Sequence, residues 1–551
     1  MNFLEVIFER FGKTGGATVV QEIRGQQLIA ATGNEMLSLV ATARRFLVAA
    51  GLKKGDRCAL LAPNSIRWIA IDLALMADGM IVVPLYSRQS PAELAAMVCD
   101  SGASRIFCDN AELCDAVLRV YPDAPPVSLF DEIFAPTVGT FAPPRPLRPQ
   151  EPVTIIYTSG TSGEPKGVVL NAGNINHMLS CTTAGFDRLM GKRNVPDQVF
   201  HWTPLNFAAA WISLLSYLSR NSVISLSTDL TKLADEMRIT APNYFLNVPT
   251  LLERVRSKIE EQIRSRDGWI AAIFDRARRA YLHRGTNDAR FSDRISLAIA
   301  NAVIFPTLRK SIGPRLKALI CGSAPLSIET QTFFMMLGIP VLQAYGLTET
   351  TAICTLDDPA RVEPGYVGMA IPGIEMKIDE NQEILVRGPN VFPGYWNRPQ
   401  ETVAVLRDGW FHTGDQGEAN SRGNWKITGR IKNLIILNSG HNIAPEPIEE
   451  ALAALLPKAA QIVLVGNGRS YLAAIITTEA NLNLAEGEIS TAIGKINSQL
   501  PHYKQIRAFH VEREPFTIES GLLTAMGKLK RDAIAARMKS QIDEVYRKRV
   551  A

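Results

Sequence analysis

The chain runs to 551 residues, enough for two to four domains with several separate cores. Apolar residues make up 46% and charged residues 21%, which excludes a disordered, collagenous or coiled-coil chain. Fifty-nine Lys and Arg against 54 Asp and Glu leave a net charge of only +5, too small and dispersed to indicate nucleic acid as a partner.

In chain order, the N-terminal stretch Met1-Asn-Phe-Leu-Glu-Val-Ile-Phe-Glu-Arg carries acids where a secretory signal would be basic and then apolar. Thr32-Gly-Asn-Glu35 reads as a capping box, followed by Leu39, Val40, Ala43, Phe46 and Leu47 at helical spacing and by Gly51 as a stop. Buried strands are expected over 58–62, 80–85 and 106–108, and Ser90-Pro91-Ala92-Glu93 starts a further helix. The best membrane-span candidate, 68–86, is interrupted by Asp72 and Asp78. Continuous apolar strands alternating with amphipathic helices predict an α/β protein with mostly parallel sheets. The proline-rich 142–149 reads as a linker.

From about 253 to 312 the pattern is helical and rich in arginine (Arg276, Arg278, Arg279, Arg284, Arg290), with Asp267, Asp275, Asp288 and Asp293 interspersed. Two readings stand there, a solvated helical face and a membrane-surface patch. Short strands dominate from Gly373, and a smaller α/β segment follows Gly429. The expected organisation is a large N-terminal domain over 1–429 and a small C-terminal one over 430–551. The seven cysteines show no CxxC spacing and no neighbouring His cluster, so neither zinc nor a disulfide framework is expected, and a reducing, cytoplasmic setting is.

The most informative stretch is Ile155-Ile-Tyr-Thr-Ser-Gly-Thr-Ser-Gly-Glu-Pro-Lys-Gly167, an apolar strand running into Thr158, Ser159, Gly160, Thr161, Ser162 and Gly163 and closed by Lys166. Glycines let backbone N–H groups converge, hydroxyls add donors and the lysine adds charge, which together suit phosphate oxygens. The spacing is not that of a Walker A loop. The plainer alternative is a flexible surface loop.

This string resembles the phosphate loop of the adenylate-forming superfamily. Four further motifs follow in that superfamily's order and extend the resemblance over nearly the whole chain: Tyr345-Gly-Leu-Thr-Glu349, Gly409-Trp-Phe-His-Thr-Gly-Asp415, Ile427-Thr-Gly-Arg-Ile-Lys432 and Gly527-Lys-Leu-Lys-Arg531. Such enzymes activate a carboxylate by attack on the α-phosphorus of ATP, so negative charge must be neutralised throughout. The resemblance implies that Glu349 holds Mg²⁺ while Thr348 contacts phosphate. It also implies that Tyr345 stacks on adenine beside Gly346, in a pocket shared with Gly322, Ser323 and Ala324. Asp415 would accept from the ribose hydroxyls, Arg430 would donate to the ribose, Lys432 would be the hinge, and Lys528 would reach back to the reacting oxygens. Each has a plainer alternative: a turn-capping Glu349, tight packing at 322–324, an Asx-turn at Asp415, and a solvent lysine at 528.

Within the superfamily the chain is most similar to long-chain fatty acyl-CoA synthetases. The arginine-rich insert, Asn438-Ser-Gly-His-Asn-Ile-Ala-Pro445 and Glu514-Pro-Phe-Thr-Ile-Glu519 resemble theirs in place and type. Phe207 stands where relatives usually carry a tunnel-gating histidine. Trp211 falls at a second gating position, with a core tryptophan as the equal alternative. The loop at Gly440 would admit the pantetheine arm, and His441 replaces its usual lysine. The expected function is Mg²⁺- and ATP-dependent conversion of a hydrophobic carboxylic acid, a medium- or long-chain fatty acid, to acyl-AMP and then acyl-CoA. The alternatives are loading of a carrier-protein thiol and a non-catalytic nucleotide- or lipid-binding relative. Peripheral association with the inner membrane surface through the arginine-rich insert is the remaining expectation.

Overall fold

The structure is a computed structural model that describes residues 2–135, 142–159, 165–191, 194–265, 268–284, 290–478, 484–524 and 527–547. Its first helices form where local chemistry caps them. Asn2 and Thr32 each accept from the backbone N–H three residues on, and Glu5 and Glu35 reach back to the caps, opening helices Phe3–Thr14 and Gly33–Ala49.

A seven-stranded sheet forms the largest layer. Val127–Leu129, Arg105–Cys108, Arg57–Leu61, Ile81–Leu85 and Pro152–Ser159 run parallel, and Pro165–Asn171 and Gly394–Tyr395 add antiparallel at one edge. In a second sheet Thr18–Arg24, Ser222–Leu226 and Asp197–His201 are parallel. A third carries Leu246–Asn247, Leu319–Cys321 and Val341–Tyr345 in parallel. A fourth, built from Glu375–Ile378, Glu383–Arg387, Trp410–Ala419 and Trp425–Arg430 with Leu406–Arg407, is wholly antiparallel. The expected α/β fold therefore holds with mixed pairing: parallel pairs prevail in the first two sheets, the third adds antiparallel Thr355–Leu356 and Met369–Ala370 to its parallel strands, and the fourth pairs only in antiparallel fashion. From residue 435 a separate apolar cluster surrounds Ala459–Val465, Leu472–Thr478 and Ile506–Glu512.

The run 68–86 is the helix Ile66–Ala77, a turn at Gly79 and the strand Ile81–Leu85, all packed in the interior. Among the described residues no single helix is long and apolar enough to cross a membrane. The proline-rich 142–149 is no free linker. Arg44 pairs with Asp78 at 2.8 Å and donates to the carbonyls of Ala142 and Pro143, the Arg145 N–H bonds Ala77, and Leu147 packs on the main core.

Candidate active site

The strands that flank the candidate phosphate loop pair as an antiparallel hairpin, with Thr158 opposite Lys166 in the ladder and Ser159 opposite Pro165. Gly160, Thr161, Ser162 and Gly163 lie outside the described residues. Gly167 is needed for space, because a Cβ there would stand 2.6 Å from Ile155 and 3.3 Å from Trp396. The Lys166 ammonium pairs with Glu401 and sits 5.6 Å above the Tyr395 ring.

Three elements converge beside this hairpin. The first is the short turn Thr348–Thr350, which follows the strand Val341–Tyr345 and carries half-buried Thr348 and Glu349. Gly346 approaches the returning chain so closely that a Cβ would lie 2.3 Å from the Ala352 carbonyl oxygen. Thr351 and Ala352 adopt positive φ of 54° and 96°, as does Ser323 at 76° after the strand Leu319–Cys321, so the wall 322–324 and the Glu349 turn are both held strained by their surroundings. One oxygen of Glu349 accepts from the Tyr395 hydroxyl at 2.9 Å.

The hairpin of Trp410–Ala419 and Trp425–Arg430 is the second element, and its register sets Asp415 directly opposite Arg430. Buried Asp415 accepts from Arg430 Nε on one oxygen and from the Tyr345 hydroxyl at 2.9 Å on the other. Its backbone N–H bonds Thr413 Oγ1, and the preceding Gly414, at φ 70°, donates to Glu383 at 2.8 Å. Glu383 also engages His412 at 2.9 Å. Asp379, Glu383 and His412 are close enough to form a metal-ligand trio, but Asp379 accepts the backbone N–H groups of Asn381 and Glu383, so their bonds build the turn that aims Asp415.

The small lobe supplies the third element. Lys528 and Lys432 both lie where Arg430, Asp415 and Glu349 act on them electrostatically. Desolvation by the cleft walls, then repulsion from Arg430, lowers the Lys528 ammonium to about 8 even though its side chain keeps a solvent-exposed face. Lys432 is lowered for the same two reasons in the same order. Two residues after Lys528, Lys530 reaches across to Glu93 of the large lobe at 2.8 Å, while Arg531 pairs with Glu449 within the small lobe.

The acyl and CoA candidates do not join this cluster as a set. Phe207 is half-buried and caps the helix Ala208–Ser219. Trp211, on that helix, is fully buried and donates its indole N–H to Asp72 at 3.0 Å, the packing of a core tryptophan. Gly440, at φ 82°, lies in the exposed turn between Ile435–Ile436 and Asn442–Ile443, where His441 stacks on Tyr503 with ring centroids 4.3 Å apart. Sequence reasoning missed Tyr395, Glu401 and Glu383. His412 and Thr413 stood inside a recognised motif, whereas Tyr395 and Glu383 sit on intervening strands and Glu401 on the helix Pro399–Val405, with no spacing signal.

The family described as AMP-binding enzyme matches residues 8–396, and the one described as AMP-binding enzyme C-terminal domain matches 432–550. The chain is 28% identical to long-chain-fatty-acid–CoA ligase FadD15 of Mycobacterium bovis, over 93% of this chain and 92% of that protein. It is 26% identical to long-chain-fatty-acid–CoA ligase 5 of Rattus norvegicus, over 88% and 79%. Among solved structures, the A domain of carboxylic acid reductase from Segniliparus rugosus, in complex with AMP and a co-purified carboxylic acid, superposes with a TM-score of 0.79. That comparison spans 100% of this chain and 94% of that one at 19% identity, a likeness of fold.

Proposed function

This chain belongs to the AMP-binding enzyme family, and on that footing we propose that it is a fatty acid–CoA ligase, converting a fatty acid with ATP to acyl-AMP and pyrophosphate and then to acyl-CoA. The observation that carries this reading is the meeting of Tyr345, Asp415, Arg430, Glu349 and Lys528, from both lobes, at one cleft. In it Asp415 exchanges its Tyr345 and Arg430 partners for vicinal ribose hydroxyls, a task suited to a buried two-oxygen acceptor. Gly322, Ser323 and Ala324 border the adenine face, and Thr158, Ser159 and Lys166 sit at the phosphate end.

Glu349 suits Mg²⁺. Among the described residues only the neutral Tyr395 hydroxyl donates to its carboxylate, which leaves a hard oxygen ligand beside the phosphate hairpin. With ATP, the ion supplies charge neutralisation on phosphate oxygens. Lys528 brings its cation to the reacting carboxylate and α-phosphate, on a lobe that can later withdraw. We assign the division between lobes to 429/430, with Lys432 as pivot, so that rotation removes Lys528 and opens the cleft to a thiol.

AMP release across a panel of carboxylic acids, with and without CoA and with products identified by mass, tests the proposal. CoA-dependent release with an acyl-CoA product is expected, with the best substrate a medium- or long-chain fatty acid. Acyl-adenylate accumulating unchanged by CoA would move the acceptor to a carrier-protein thiol. ATP binding without AMP release for any acid would overturn the enzyme reading.

A further inference from the structure

The carboxylate that pairs with Lys166 is held beside it by backbone bonds. Glu401 lies on the helix Pro399–Val405, just beyond the short strand Gly394–Tyr395. That strand pairs with Val168 and Val169 of the arm that carries Lys166, and the Trp396 N–H donates to the Gly167 carbonyl at 2.7 Å. Thr402 closes the turn into the helix, since its hydroxyl takes the Tyr395 N–H at 2.9 Å and donates to the Arg398 carbonyl at 2.8 Å. The backbones of Lys166 and Glu401 are thus bonded into one ladder, and only side-chain rotation can part the pair.

Charge at this corner is balanced by the protein's own groups. One oxygen of Glu401 meets Lys166, the other stands 3.6 Å from Arg398, and Arg398 pairs with Asp100 at 2.9 Å. Asp100 also accepts the Tyr157 hydroxyl at 2.7 Å, and Tyr157 lies on the strand that leads into the phosphate loop. Two cations therefore face two carboxylates. With the Lys166 side chain 24% exposed and that of Glu401 36%, water screens the pair only in part. Burial, then the charges of Glu349 and Glu401, push the Tyr395 phenol up, so both acids bear on the ring beneath Lys166.

We propose that Glu401 competes with the phosphate oxygens of ATP for Lys166, holding ATP affinity below what the lysine could supply and reclaiming the lysine as pyrophosphate leaves. This role rests on the ligase reading and deepens it, because it gives the phosphate end of that cleft an anion of its own. A triphosphate approaching Lys166 meets a carboxylate on the same ammonium, so the Lys166–phosphate contact strengthens only as the Lys166–Glu401 pair opens. Arg398 eases the exchange, since Glu401 can turn its charge to a guanidinium already 3.6 Å away. Once acyl-AMP has formed, the exchange runs backwards, and a tethered anion at high effective concentration replaces the leaving one. Glu401 is a positioning residue, acting on the phosphates through Lys166. A clamp that presented Lys166 to the phosphates would have the opposite sign, with loss of Glu401 weakening ATP.

Calorimetric titration of the full chain with ATP, and separately with inorganic pyrophosphate, each with Mg²⁺, is the test. Glu401→Gln keeps the size of the side chain and removes its charge. It should bind each ligand about three- to fivefold more tightly, the range that a partly exposed ion pair supplies. In turnover the KM for ATP should fall without a rise in kcat, and pyrophosphate should inhibit more strongly. In a Lys166→Gln background the same substitution should change ATP affinity by less than about twofold, which separates competition for the lysine from simple loss of a nearby negative charge. Glu401→Asp, which keeps the charge and shortens its reach, should tighten ATP in the same direction but less, and carries the test if the neutral variant does not fold. Weaker or unchanged ATP binding by these variants, or an equal gain with and without Lys166, would overturn the proposal. Wild type that binds neither ATP nor pyrophosphate would sink the ligase reading and this role together, whereas wild type that binds ATP beside a variant with no gain would sink this role alone.

Discussion

Asp72 offers a test of what Trp211 does. It lies mid-helix in Ile66–Ala77, fully buried, and its Oδ2 takes the Trp211 indole N–H while Oδ1 has no partner. Burial raises its carboxyl from the ordinary 3.8 to about 7, only partly offset by the indole bond. A raised carboxyl stabilises the fold fully below its unfolded value, and that stabilisation is lost as pH rises through about 7. The full span is about 4 kcal/mol at 1.36 kcal/mol per unit, of which about 3 kcal/mol falls between pH 5 and pH 8. Asp72→Asn keeps an oxygen for the indole and cannot titrate. Relative to wild type, its stability in denaturant unfolding of the large lobe should therefore gain about 3 kcal/mol on going from pH 5 to pH 8. Trp211→Phe, which leaves both carboxyl oxygens unpaired, should cost about 2–4 kcal/mol at pH 8 with little change in chain-length preference. Parallel pH dependences for wild type and Asp72→Asn would refute the burial argument. A shifted acid preference in a stable Trp211→Phe would restore Trp211 to the acyl tunnel.

Three residues of the cleft carry the other predictions. Lys528 acts as a cation and is held near 8, so adenylation measured by pyrophosphate exchange should fall as pH rises through about 8. Lys528→Ala should cost roughly 10²–10³-fold in adenylation while sparing thioester formation from supplied acyl-adenylate, and equal loss in both steps would contradict the assignment. Lys530→Gln should slow adenylation by up to about fivefold, the most that a partly exposed ion pair to Glu93 supplies, with the charge-swapped double variant recovering it. No recovery would mean that the contact does not hold the lobes together. Glu383→Ala removes the acceptor for Gly414 and His412 and should raise the KM for ATP about tenfold with a smaller change in kcat, whereas an unchanged KM would show that Asp415 is placed without it.

Local chemistry made much of the fold legible before any coordinates. The capping box at Thr32, the Ser90-Pro91 helix start and the apolar strands near 58, 81 and 106 form as expected, because each depends on neighbours within a few residues. The chemical types at Lys166, Glu349, Asp415 and Lys528 were equally legible, since motif spacing is a local property. Long-range contacts were not. Spacing did not show that the apolar run 68–86 packs as an interior helix followed by an interior strand, and 142–149 read as a linker until Arg44 and Arg145 pinned it. Nothing in the spacing foretold that Tyr395 would hold Glu349 or Glu383 would hold Gly414, or that Lys530 would reach Glu93 across 437 positions. By itself the sequence determined which groups could do the chemistry. Tertiary structure alone decided which of them meet and which are buried with their charge suppressed, because those outcomes depend on chain segments that are neighbours only after folding.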